Sequence, residues 1–129
     1  MRIIYVKRDA FPEDLSDGVD DGSGIIFTRS FDTAKKIVSD GLPTIVLADN
    51  AFYAGTRASI FATILKREVV SNIIFFIISN GESVLMGPDV DAIVTMSPGF
   101  VVAGQPKLSM SGQLVRMARI FADPLVRKP

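Results

Sequence analysis

The chain of 129 residues contains no cysteine, no histidine and no tryptophan. Without cysteine there can be no disulfide, thiol nucleophile or thiolate metal ligand, and without histidine no imidazole base, Ser-His-Asp triad or Cys/His zinc site. Charge of one sign is also missing: 14 Lys and Arg balance 14 Asp and Glu, for a net charge of zero. No overall field therefore draws the protein to nucleic acid or to an anionic membrane, which argues against a dedicated nucleic-acid binder. The longest apolar run, Ile73 to Ile78, is six residues, against the roughly 20 that a membrane-spanning helix needs. At the N-terminus the run Ile3 to Val6 ends at Lys7 and Arg8, too short for a signal-peptide core. These absences lead to the expectation of a cytoplasmic protein with no membrane insertion, no metal and no cofactor. What is present is ample core material, 48% hydrophobic against 22% charged, enough for one domain. The mean hydropathy of +0.36 points to strands buried on both faces or to an apolar patch facing a partner.

Strand and helix patterns alternate. Ile3 to Val6, Ile25 to Thr28, Thr44 to Ala48, Asn72 to Ile78 and Ala92 to Met96 are short, apolar and rich in Ile and Val, and polar or turn-forming residues bound them. That is the pattern of central strands in a parallel sheet. Between them, Phe31 to Asp40 has Ser30 to cap it, an apolar face of Phe31, Ala34, Ile37 and Val38, and Gly41 with Pro43 to end it. Helices are also predicted over Ala58 to Val69 and Gly112 to Ala122, whereas Glu13 to Asp17 and Glu82 to Met86 can form at most short ones between Gly and Pro residues. Five strands with right-handed helical crossovers make a three-layer α/β sandwich of the doubly wound type. Residues 1–122 are expected to form the domain and 123–129 a tail or the start of a linker.

In such sheets chemistry sits at the carboxyl ends of the strands. The run from Leu42 to Asp49 resembles the third strand of response-regulator receiver domains, which ends in the phosphoacceptor Asp. The run from Asp91 to Phe100 is similar to their fifth strand with its terminal Lys-Pro-Phe, and Ser79 matches their Ser/Thr switch position. The resemblance implies a five-stranded sheet in the order 2-1-3-4-5, as in flavodoxin-like folds, here with shortened first and fourth helices.

Departures from the family pattern are as informative. Receivers hold magnesium with two acidic residues after the first strand; here those positions are Lys7 and Arg8, and only Asp9 could add a carboxylate. Ser97 replaces the phosphate-binding Lys, and Val94 stands at the aromatic switch position. Asp49, Ser79, Lys7, Arg8, Asp9 and Ser97 together thus form a degenerate phosphoacceptor site. Asp49 could be a phosphoacceptor, a ligand contact, or a strand-end carboxylate held by Lys7 or Arg8 and by loop N–H groups.

Asp17 to Gly24 lacks carboxylates at the third and twelfth positions of a calcium loop and reads as an acidic loop. The early acidic residues and the basic end, Lys107 to Lys128, are either solvated faces or complementary docking patches. Met86, Val94, Met96, Phe100, Val101 and Met117 mark an interaction face through the fourth and fifth elements, because receivers pair there and Met adapts to varied partners. The expectation is a non-enzymatic, phosphorylation-independent pseudo-receiver adaptor that binds protein partners or a second copy of itself, nucleic acid being reached only through a separate output domain. The alternatives are a working phospho-receiver at Asp49, or a sensor of a small anion or nucleotide with Arg8, Arg29, Asn50 and Asn80 around the strand-end crevice.

Overall fold

The computed structural model describes residues 2–7, 25–68, 72–79 and 81–95. In chain order the elements are β1 (Arg2–Val6), β2 (Ile25–Thr28), α1 (Phe31–Val38), β3 (Thr44–Asp49), β4 (Phe52–Tyr53), β5 (Thr56–Arg57), α2 (Ala58–Glu68), β6 (Ile73–Ser79) and β7 (Ala92–Thr95). Five of the strands form one sheet in the order β2-β1-β3-β6-β7, with every neighbouring pair parallel. This is the α/β architecture with a five-stranded parallel sheet, compatible with a flavodoxin-like fold. The numbering departs from the expected 2-1-3-4-5 because β4 and β5 were not foreseen; they form a separate two-stranded antiparallel ribbon. Ala54 and Gly55 turn that ribbon with φ of 51° and 86°, the left-handed pair of a tight hairpin. With alanine in place of the usual Asn or Asp, these residues carry no hairpin signal.

The period-two alternation of the strands divides the core into two clusters. Ile4, Val6, Val46, Ala48, Phe75 and Ile77 face one way and pack on α1 and α2 through Phe31, Ala34, Val38, Phe61, Ala62 and Leu65. Phe31 stacks on Phe61 with ring centroids 3.7 Å apart, so the two helices share one aromatic contact above the sheet. Ile3, Tyr5, Ile25, Phe27, Ile45, Leu47, Phe76, Ile78 and Val94 are buried on the opposite face. Burial on both faces accounts for the continuously apolar strands and the high mean hydropathy. The expected helix Gly112 to Ala122, the segment Glu13 to Asp17, the acidic loop to Gly24, the basic end and the tail lie outside the described residues.

Between β6 and β7 the expected short helix Glu82 to Met86 does not form, and residues 81–91 cross in turns and irregular chain. Gly81 has a φ of 106°, and the Gly87-Pro88 pair leaves too few residues between the breaks to nucleate a helix. A Cβ on Gly87 would stand 3.3 Å from that of Ser59, so this crossing lies backbone-close against the start of α2. Asp91 returns it to the sheet: its N–H donates to the Phe75 carbonyl at 2.9 Å, its carboxylate accepts from the Phe75 N–H at 2.8 Å, and Lys66 pairs with it at 2.7 Å.

Helix α1 has the predicted cap, with the Ser30 hydroxyl accepting from the Thr33 N–H at 3.3 Å. Gly41, at φ 81°, ends it. Beyond the helix the Arg2 guanidinium grips both Asp40 carboxylate oxygens, at 2.7 and 2.9 Å, and also donates to the Ile37 carbonyl and the Thr44 hydroxyl. One side chain thereby ties β1, the end of α1 and the start of β3. These hydrogen bonds from Arg2, with one from the Leu42 N–H, lower the Asp40 carboxyl from 3.8 to about 2. A lowered folded-state value stabilises the fold above the unfolded value and is lost as pH falls through the folded one. Thermal melts between pH 4 and pH 2 should therefore lose less stability in Asp40→Asn than in the wild type over the window set by 3.8 and about 2; identical acid limbs would show that the pair does not report on folding.

Candidate functional site

The carboxyl ends of β1 and β3 are neighbours, with Tyr5 paired to Leu47 and Val6 to Ala48. Asp49 lies two residues beyond Leu47, so the pleat sends it to the same face as Tyr5. The Tyr5 ring lies along that face, stacked on Phe27 at 5.7 Å, and its hydroxyl donates to Asp49 Oδ1. Lys7, again two residues on, holds its ammonium 5.5 Å from the Tyr5 ring centroid, within cation–π range. The cation expected beside Asp49 thus meets the tyrosine ring, and the tyrosine meets the carboxylate. Burial, then the negative charge of Asp49, then the hydrogen bond raise the Tyr5 hydroxyl well above its ordinary value, so it remains a donor.

Tyr53 of the ribbon approaches the same strand ends from the helix-bearing face. Its ring contacts Phe31 at a centroid distance of 4.2 Å, and its hydroxyl donates to the Val6 carbonyl at 2.7 Å and to the Asp49 carbonyl at 3.4 Å. The only two tyrosines in the chain therefore both place their hydroxyls at the ends of β1 and β3. The sequence reading missed both. For Tyr5 the signal was available in the period-two spacing of Tyr5 and Lys7 beside the strand that ends in Asp49; for Tyr53 it was hidden with the ribbon.

Ser79, at the end of β6, is 1% exposed. Its hydroxyl donates to the Glu82 carbonyl at 3.0 Å and accepts from the Gly81 N–H at 3.1 Å. It closes the turn that starts the crossing. The register pairs Asp49 with Ile78, so alternation directs Ser79 to the face opposite Asp49, and the two expected partners diverge. Asn50 donates to Glu82 Oε1 at 3.3 Å and to the Ser83 carbonyl at 3.2 Å, joining the end of β3 to the crossing.

Beside Asn50 a cleft of about 210 Å³ opens between the start of α2 and the crossing, lined by Arg57, Ser59, Ile77, Ser83 and Leu85 among others. Leu85, Met86 and Ile60 are 65%, 55% and 54% exposed. Met86 thus stands on the surface. Val94 does not: it is 7% exposed and packed in the second core, with Ile93 and Thr95 turned outward on either side of it. Arg8, Asp9, Asn80, Met96, Ser97, Phe100, Val101 and Met117 lie outside the described residues. Among the described residues no three carboxylates gather as metal ligands, and no helix is long and apolar enough to cross a membrane. Comparison with family models, curated proteins and solved structures finds no match to this chain.

Tyr5→Phe removes the hydroxyl donated to Asp49 while keeping the ring that stacks on Phe27 and receives Lys7. We expect a loss of about 1–3 kcal/mol, the scale of one hydrogen bond to a charged group, read by chemical denaturation. Because the folded-state value of Tyr5 is raised, its contribution is complete below the ordinary tyrosine value of about 10 and is lost as pH rises above it. Phenolate absorbance of wild type and Tyr5→Phe should therefore coincide for as long as circular dichroism shows both to be folded; a divergence between two folded samples would show that Tyr5 ionises in the folded state.

Proposed function

We propose that the chain is a non-enzymatic pseudo-receiver: a three-layer, doubly wound regulatory domain of the response-regulator type that acts in signal transduction through protein contacts, self-association included, without phosphorylation. The observation that carries this reading is the Tyr5 hydroxyl on the Asp49 carboxylate, with Lys7 over the tyrosine ring. A phosphoacceptor carboxylate must offer its oxygens to a metal ion and to the incoming phosphoryl group. Here one oxygen accepts from a buried phenol instead, and a cation occupies the position where receivers carry an acid. Ser79 supports the same reading, since both of its bonds close a turn. Met86, Leu85 and Ile60 are exposed apolar side chains, which supports a reading that needs a surface for partners.

The test combines intact-mass analysis with sedimentation velocity, in the presence and absence of acetyl phosphate and magnesium. We expect no phosphoryl mass on Asp49 and a self-association that is the same with and without the donor and in Asp49→Asn. A stoichiometric phosphoryl adduct that disappears in Asp49→Asn would establish the working phospho-receiver instead. A strictly monomeric chain at high concentration would remove self-association from the proposal.

A further inference from the structure

We propose that the cleft at the start of α2 binds the phosphoryl group of a small organic phosphate, a site distinct from Asp49 and independent of the adaptor reading. Helix α2 has 11 residues and no acid in its first turn. The residue before it is Arg57, which has no acceptor to offer where α1 has Ser30. The first N–H groups of α2 thus receive no cap from that position, and the positive end of the helix dipole opens on the cleft. Alone this would be only a helix terminus. The second observation is Ser59, which lines the cleft and is 9% exposed. Among the described residues no donor or acceptor meets its hydroxyl, although a buried hydroxyl is normally satisfied. A phosphoryl oxygen seated on the N–H groups of this first turn would accept from Ser59 and lie beside the Arg57 guanidinium, the donor set that anions take at helix N-termini.

The other wall sets the class of ligand. Ile77 and Leu85 are apolar and would take the organic body. The Asn50 amide is already committed to Glu82 and Ser83, so it shapes the wall and holds the crossing in place. A space of about 210 Å³ lies below the range of roughly 300–1,000 Å³ typical of drug-sized sites. It suits a phosphomonoester of a small body and excludes a dinucleotide. The carboxylate of Glu82, bonded to Asn50, is a like charge that opposes the ligand.

Amide NMR of the full chain, titrated with phenyl phosphate and separately with inorganic phosphate, tests this directly. We expect saturable shifts at Ala58, Ser59 and Ile60, with phenyl phosphate the tighter probe. Ser59→Ala should weaken phenyl phosphate by about tenfold, the scale of one charge-assisted hydrogen bond, without lowering the melting temperature, because it removes an unsatisfied buried hydroxyl. Arg57→Gln should weaken it by at least as much, and Glu82→Gln should tighten it. Absent shifts at residues 58–60 in a folded sample would overturn the proposal. So would equal affinities in wild type, Ser59→Ala and Arg57→Gln, which would leave only general attraction of an anion to surface cations.

Discussion

The hydrogen bond from Tyr5 to Asp49 governs how the business end of this sheet can behave. A parallel sheet brings all its strands to one edge with unsatisfied backbone groups and whatever side chains follow them, and α/β proteins place their sites there. In this chain the central pair of strands, β1 and β3, is closed at that edge by two tyrosines. Tyr5 takes the Asp49 carboxylate on one face, and Tyr53 takes the Val6 and Asp49 carbonyls on the other. Apolar packing stands behind both contacts. Tyr5 is held by Phe27, and Tyr53 by Phe31, which stacks in turn on Phe61.

The rest of the described fold follows from the need to cover both faces of five apolar strands. One face is served by α1 and α2, linked through the Phe31–Phe61 stack; the other carries an equally buried cluster from Ile3 to Val94. At the opposite edge of the sheet Arg2 ties β1, α1 and β3 with side-chain hydrogen bonds, so these elements are fixed at both ends. The crossing from β6 to β7 has no helix to anchor it. It relies on point contacts: Ser79 closing its first turn, Gly87 against Ser59, and Asp91 on Phe75 and Lys66. A thin crossing of this kind leaves the first turn of α2 open to the cleft.

Much of this was legible in the residues because it depends on periodicity. The five sheet strands and both described helices fall where the apolar runs and the Ser30 cap with Gly41 stop place them, within a residue or two at the ends. The site was less legible for geometric reasons. The apolar runs put Asp49, Lys7 and Ser79 at strand ends, but which of them meet depends on register and face. Tyr5 reaches Asp49 because both lie on one face of paired strands, whereas Ser79 turns to the other. The family pattern puts Val94 on an interaction face, yet its position between two outward-facing residues makes it core. The ribbon escaped notice because Ala54 adopts a left-handed conformation normally signalled by Asn, Asp or Gly.

Tyr5 holds Asp49, and our proposal is that this closes the carboxylate to phosphoryl chemistry. The most direct measurement is amide NMR of the full chain, titrated first with magnesium and then with beryllofluoride, a mimic of the acyl phosphate. Unchanged resonances at Tyr5, Lys7, Asp49 and Ser79 in a folded sample are the predicted result. Saturable shifts at Asp49 that spread to Ser79 would contradict it, and would mean that the tyrosine yields the carboxylate and the switch still operates.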